Sequence, residues 1–384
     1  MSSPNDISRV HDAVAALPLI DHHAHGTLRE TPEREDFELF ITEGSHPAAD
    51  GQTHFDSQVG FAIRRWCAPI LDLPAWPSPE DYLARRADLG EAEVSRRMLE
   101  ASGVGRLLFD TGYSAGQILS PAEMTNLTGL PTHEIVRLEE VLESTAGCSA
   151  EQIWTDFAGI LADRTASAVG LKSIIAYRYG FDFAPQRPSR REVVTAAGRW
   201  LARVEATGST RIEDPDLLRF ALWAGVDRGL PIQLHTGYGD ADLDLHRCNP
   251  TLLSEFFRQT AGTDASFTLL HCYPYQREAG YLAQVFPSVY FDVGLGVHYT
   301  GARSVSVIAE SFELAPFHKI LFSSDGWGPA ELHFLGAHLW RRGMAKVFSG
   351  FVEDGDWSAA ESIRVLTMVG CENAMRLYRV GASV

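Results

Sequence analysis

Positive charge is scarce in this sequence: 33 Lys and Arg stand against 50 Asp and Glu, a formal net charge of -17. Non-specific nucleic-acid binding needs cations that displace counterions from phosphates, so that partner class is excluded. Cysteine is equally thin. The five cysteines (Cys67, Cys148, Cys248, Cys272 and Cys371) are odd in number and show no CxxC spacing, which argues against a disulfide framework and a zinc-thiolate cluster. A reducing cytoplasm suits them best. No apolar run approaches the length of a membrane span, and the N-terminus is polar and acidic rather than basic and then apolar. The expectation is therefore a cytoplasmic protein with no membrane partner. The phosphate-cradling pattern GxxxxGK[ST] and a Rossmann glycine fingerprint are also missing, as are low-complexity tracts.

Hydrophobic residues make up 45% and charged residues 22% of the 384, enough to bury a sizeable core. From about Ala166 onward, short β-rich runs alternate with helical patterns, the rhythm of βαβ units. "VGLKSIIAYR", "LPIQLHT", "SFTLLHC", "SVYFDVG" and "KILFSSDG" read as strands. Upstream, "LPLIDHH" supplies a first strand, "VGRLLFDTGY" a second and "HEIVRLEEV" a third, although "EIVRLEEVLES" reads equally as a helix. Eight strands predict an α/β (β/α)8 TIM barrel spanning 1–384, with a doubly wound sheet as the alternative. The span 27–102 is far longer than a usual βα connection and carries helical patterns, so it is read as an inserted helical cap, or else a peripheral packing or oligomer element. Closing helices follow, and "GASV" reads as a tail.

Chemistry gathers at the strand ends. In "LPLIDHHAHG", strand alternation sends His23 and His25 to one face, with Asp21 deeper on that face and His22 opposite. Two imidazoles on one face at the carboxyl end of a barrel strand form a chelating pair for a divalent metal. His235 ends "PIQLHTG", His271 ends "FTLLHCYPY" and Asp325 ends "ILFSSDG". Each is a ligand or proton carrier placed where βα loops build a site.

This arrangement resembles the amidohydrolase superfamily, metal-dependent (β/α)8 enzymes. More narrowly, "GLKSIIAYRYG", "PIQLHTGYGD", "LLHCYPYQREAGYLA" and "ILFSSDGWGPAEL" resemble the amidohydrolase-like domain that fungi and plants carry fused to a glutamine-synthetase-like domain. The chain stops where a fused synthetase would begin, so it is similar to a stand-alone version. The resemblance makes His23, His25, His235 and Asp325 metal ligands, Asp325 also the base, and His271 a catalytic group beside the substrate. It implies one divalent cation, zinc by preference, with manganese or iron also compatible. A second metal, bridged by a carbamylated Lys172, is disfavoured. If the strand continues to Arg178, Lys172 lies about 20 Å deeper and needs a buried partner, Glu139 being the candidate.

Arg178 is suited to fork onto a substrate carboxylate, its bland alternative being a salt bridge with Asp182. Tyr177, Tyr273 and Trp327 follow strand ends as further substrate-binding candidates, with Tyr275 and Arg277 as weaker ones. Weaker signals still are "DTGYSAG", which presents Asp110 and Tyr113 to the pocket or else forms an ordinary turn, and "GYGDADLDLH", an acidic loop that approaches a cationic group or else is simply solvated. The expected function is a metal-dependent hydrolase of a small carboxylate-bearing amide or related acyl compound. The competing readings are an aromatic-acid decarboxylase or uronate isomerase, a lactone hydrolase, and a catalytically silent scaffold barrel. The expected partner is a small molecule with a carboxylate, and a homo-oligomer is compatible with the sequence.

Overall fold

Runs such as "PIQLHT" and "FTLLHC" are buried on both faces, which suits a parallel strand covered by helices. Seven such runs form parallel strands in the computed structural model, which describes residues 4–114 and 116–381. They are β1 (Leu19–Ala24), β2 (Val104–Asp110), β3 (Thr132–Arg137), β4 (Gly170–Ser173), β5 (Ile232–Thr236), β6 (Phe267–His271) and β7 (Val289–Phe291), hydrogen-bonded in sequence order. Every residue of β1, β4, β5 and β6 is buried.

The expected eighth strand does not form as a regular strand. "KILFSSDG" still runs extended between the two edges of the sheet. Leu321 N–H donates to Phe291 O at 2.9 Å on the β7 side, while Phe322 O accepts from His22 N–H at 3.3 Å on the β1 side. The sheet is thereby curled into a TIM-barrel-like ring. One cause of the irregularity is visible: Ser324 N–H donates to the Asp21 carboxylate at 2.9 Å, so a side chain takes an amide that a ladder would use.

Similar capture shortens β4. Glu139 accepts from Ser173 Oγ at 2.6 Å and from Ile174 N–H at 3.0 Å, and the chain turns at once into the helix Ile175–Arg178. The strand expected to reach Arg178 therefore ends at Ser173, and Lys172 and Arg178 line one cavity instead of lying far apart. Glu139 is bound to Ser173 and Ile174 and is not the partner of Lys172. In the third unit both readings hold for different halves, since β3 passes directly into the helix Leu138–Glu143.

A register shift between Asp21 and Ala24 also corrects the expected alternation in β1. His22 turns into the barrel, where Nε2 meets Asp292 Oδ2 at 3.0 Å and Nδ1 meets the Tyr378 hydroxyl at 3.1 Å. Asp21 instead binds Ser324, whose Cβ abuts Gly336 of the helix Ala330–Glu353 on the outer side. Below this layer, Ile20, Leu108, Ile135 and Leu321 pack with Tyr378 and Val380 of the C-terminal segment as an apolar floor. Of "GASV", only Gly381 belongs to the described residues.

Within the span 27–102 lie the helices Arg34–Phe40, Gln58–Ala62, Pro79–Leu89 and Glu91–Ser102, with a π-turn at Ile63–Cys67. A buried ion network ties this span to the barrel. Arg86, only 1% exposed, reaches Glu331 of the helix Ala330–Glu353 at 2.6 Å and Glu91 at 2.8 and 2.9 Å, and the Tyr82 hydroxyl donates to Glu331 at 2.7 Å. Removing one member of such a network strands buried charge. Arg86→Ala is expected to lower stability by about 3–5 kcal/mol, and Tyr82→Phe by about 1–3 kcal/mol, in urea unfolding followed by tryptophan fluorescence.

Candidate metal centre

The ends of β1 and the extended eighth segment bring His23, His25 and Asp325 together, and one ligand atom from each lies within 4.8 Å of the others. His23 Nε2 is 3.0 Å and His25 Nε2 3.8 Å from Asp325 Oδ1. His271 Nε2, from the end of β6, is 3.5 Å from Asp325 Oδ2. His235 stands outside the three-residue group. Its ring packs between Tyr177 and His271, with centroid separations of 4.3 and 4.7 Å, and its buried Nε2 has no hydrogen-bond partner.

The hydrogen bonds behind the imidazoles decide which nitrogen faces inward. The Gln233 amide N–H donates to His22 O at 2.7 Å, which turns Gln233 Oε1 toward His23 Nδ1 at 2.8 Å. A carbonyl oxygen only accepts, so His23 carries its proton on Nδ1 and offers a lone pair at Nε2. The Asp110 carbonyl does the same for His25 Nδ1 at 3.0 Å. Burial holds His23, His235 and His271 well below the usual histidine pKa, and takes His25 down to about 4. Neutral imidazoles beside a buried carboxylate, with His23 and His25 held through the second nitrogen, are what a divalent cation requires. The residues present therefore fit a metal.

Charge inside the site is concentrated. Burial pushes Asp325 up to about 7, against the pull of His25 and Lys172. The Lys172 amine sits 3.2 Å from His23 Nε2, and burial lowers it to about 8. Asp110 binds Arg137 at 2.5 Å and is held well below the carboxylate range: burial works against this, and Arg137 and His25 prevail. His271 and Asp325 both have left-handed backbones, with φ of +69° and +50°. Such conformations cost roughly 1–2 kcal/mol in an L-residue and cluster at functional sites.

A cavity of about 410 Å³, the size of a small-molecule site, opens over these groups. Of the substrate-binding candidates, Tyr177, Arg178 and Trp327 line it. Tyr273 does not; it borders an adjoining cavity with Tyr238 and Tyr299. Arg178 lies 3.1 Å from Glu143 and leaves Nε without a hydrogen bond, while Asp182 is taken by Arg247 at 2.7 Å. Arg277 pairs with Glu313 at the surface, and Tyr275 donates to Leu245 O.

Several contributors escaped the sequence reading. Gln233 orients His23, and its signal was available two residues before His235 on the same face of β5. Asp292, after β7, accepts from His22, from Ser323 Oγ at 2.8 Å and from the backbone N–H groups of His271 and Gly294 at 3.0 and 2.8 Å. Burial alone would raise this carboxyl, but these bonds hold it below its usual range. Arg137 and Arg211 also line the cavity, as does Glu43 from the span 27–102; Asp240, which lines it too, belongs to the acidic loop already singled out in the sequence.

Residues 176–380 match the amidohydrolase family. Protein fluG of Emericella nidulans is 29% identical over 97% of this chain and 47% of its own length. The chain thus spans about half the length of that curated relative. A crystal structure of a candidate metal-dependent hydrolase from Lactobacillus casei ATCC 334 is similar at a TM-score of 0.84, with 27% identity over 97% of each chain. Glucuronate isomerase from Caulobacter crescentus shares the fold at a TM-score of 0.65, with 14% identity over 100% of this chain and 96% of that one.

Partners behind metal ligands commonly govern affinity. Gln233→Leu, which removes the acceptor for His23 Nδ1–H, is expected to weaken divalent-cation binding by about 10–100-fold in chelator competition. Circular dichroism should report an intact fold, and unchanged affinity would refute the orienting role.

Proposed function

The chain belongs to the amidohydrolase family, and from that premise we propose that it is a metal-dependent hydrolase acting on the C–N bond of a small carboxylate-bearing amide or related acyl compound. The observation that carries this reading is the convergence of His23, His25 and Asp325, with both imidazoles turned Nε2-inward by acceptors behind them. In this reading His23, His25, His235 and Asp325 hold one divalent cation, zinc by preference. When bound, the cation supplies Lewis acidity, which acidifies a water molecule and polarises the acyl oxygen.

The protein's own groups do the rest. Asp325, whose Oδ1 lies 3.0 Å from His23 Nε2 at the mouth of the site, is placed to take a proton from the attacking water. His271, 3.5 Å from Asp325, is placed to pass that proton to the leaving nitrogen or to hydrogen-bond the developing oxyanion. Arg178, which lines the cavity, is placed to receive the substrate carboxylate. Tyr113 and Trp327, whose rings meet at 5.2 Å on the cavity wall, exclude bulk water.

Asp325→Asn removes the base while preserving shape. It is expected to abolish turnover with the melting temperature little changed, and full activity would defeat the assignment. A panel of N-acyl amino acids, γ-glutamyl amides, lactones and hydroxybenzoates identifies the bond. Release of ammonia or an amine supports the proposal, whereas carbon dioxide from an aromatic acid or ring opening of a lactone replaces it.

A further inference from the structure

The second cavity, of about 320 Å³, adjoins the metal centre along three stretches of chain. Thr42 lines it where the next residue, Glu43, lines the first; Tyr238 lines it where Asp240 lines the first; and Gly296 lines it where Leu295 lines the first. The two volumes therefore share a wall made of those stretches. A hydrogen bond crosses this wall, from Tyr299 in the second cavity to the Glu43 carboxylate in the first. At Gly239, between Tyr238 and Asp240, an added Cβ would fall 2.2 Å from the Tyr177 hydroxyl, so the loop passes here only because that residue has no side chain.

The two linings differ in kind. Four Lys and Arg side chains and four Asp and Glu side chains line the first cavity, whereas among the described residues no Lys, Arg, Asp or Glu lines the second. Three tyrosines do. Tyr238 meets Tyr299 at 5.5 Å and Tyr273 at 6.4 Å, with interplanar angles of 68° and 89°, and all three remain partly exposed. Ile41 and Val59, from the span 27–102, add apolar surface. Rings set edge to face in this way receive another ring well, while an ion placed among them would lose its hydration and find no counter-charge.

Strand order gives the direction. Arg178 follows β4, Tyr238 follows β5, Tyr273 follows β6 and Tyr299 follows β7, on consecutive strands of the sheet. His235 and His271 end β5 and β6, between Arg178 and Tyr299 in that order. A molecule anchored on Arg178 that extends over these histidines meets the tyrosines next.

We propose that the second cavity is a subsite for an uncharged aromatic group on the amine side of the scissile bond, so that the substrate lies across the barrel mouth with its carboxylate on Arg178 and its ring among Tyr238, Tyr273 and Tyr299. The bond broken rests on the hydrolase reading; the place of the ring does not. Hydrolysis adds one water across the C–N bond, giving a carboxylic acid and a free amine that carries the ring.

The test is calorimetric titration of the protein, with its cation, by the N-methyl-, N-isobutyl- and N-benzylamides of succinic and glutaric acids, alongside an assay of amine release. In at least one of the two acid series the N-benzylamide is expected to bind about tenfold or more tighter than the N-methylamide, with the N-isobutylamide between them. Thr300→Trp fills the cavity and Tyr238→Ala removes the ring that touches both others, so each should bring that ratio close to one. The ratio is taken within one protein, which cancels any change common to all the amides. Circular dichroism checks each variant, and the wild-type ratio decides alone where a variant does not fold. Equal binding of the N-benzyl and N-methyl forms, a ratio that survives both substitutions, or no binding of either N-benzylamide at millimolar concentration would overturn the subsite. A benzyl preference in binding with no amine released from any amide would defeat the hydrolase reading and leave the subsite standing. Amine release with no benzyl preference would do the reverse.

Discussion

The site depends on imidazoles that are buried, neutral and turned in a fixed sense. Burial alone would leave each ring free to choose its tautomer. The Gln233 amide and the Asp110 carbonyl remove that freedom by accepting from Nδ1, so that His23 and His25 present lone pairs toward Asp325. Gln233 is itself locked, since its N–H groups reach His22 O and, at 3.0 Å, the Tyr378 hydroxyl. A chain of orientation thus runs from the C-terminal segment through the barrel floor to the inward nitrogens. Asp292 plays the matching part on the far side by holding His22, Ser323 and the backbone of His271.

That framework reaches past the metal ligands. Asp110 links the two halves of the cavity, its carbonyl on His25 and its carboxylate on Arg137. The span 27–102 supplies Glu43 to the cavity, and Phe40 meets Trp327 edge-on at 5.3 Å. The Arg86 network anchors the same span to the helix Ala330–Glu353, which follows directly on the loop carrying Asp325 and Trp327. Geometry at the mouth of the site is therefore coupled to the packing of a segment far away in the chain.

Much of this was legible in the sequence. The strand-end positions of His23, His25, His235, His271 and Asp325 announce themselves because apolar runs followed by polar residues are the mark of a buried parallel strand reaching its loop. The same logic singled out Tyr177, Arg178 and Trp327, which line the cavity. Tyr273 borders a second cavity instead, because its place after β6 says nothing of which way the loop turns. The acids were the hardest to read. Glu43 lies in a stretch with no periodic signal, and Asp240 sits in a loop whose acidity suits ordinary solvation as well as an approach to a cationic group.

The departures from regularity in β4 and the eighth strand share one physical origin, and it bears on function. Periodicity assumes that backbone amides go to the ladder, but here carboxylates and serine hydroxyls intercept them: Asp21 at Ser324, Glu139 at Ser173 and Ile174. Each interception ends or bends a strand one layer before its loop. At β4 that brings Lys172 and Arg178 to one cavity, although an unbroken strand would separate them. In the eighth segment it precedes the left-handed turn at Asp325, and in β1 the register shift lets His22 serve the interior while His23 and His25 still face Asp325. A perfectly regular barrel of this sequence would keep its alternation and lose the convergence. Broken regularity at the strand ends is therefore the means by which the fold assembles its site.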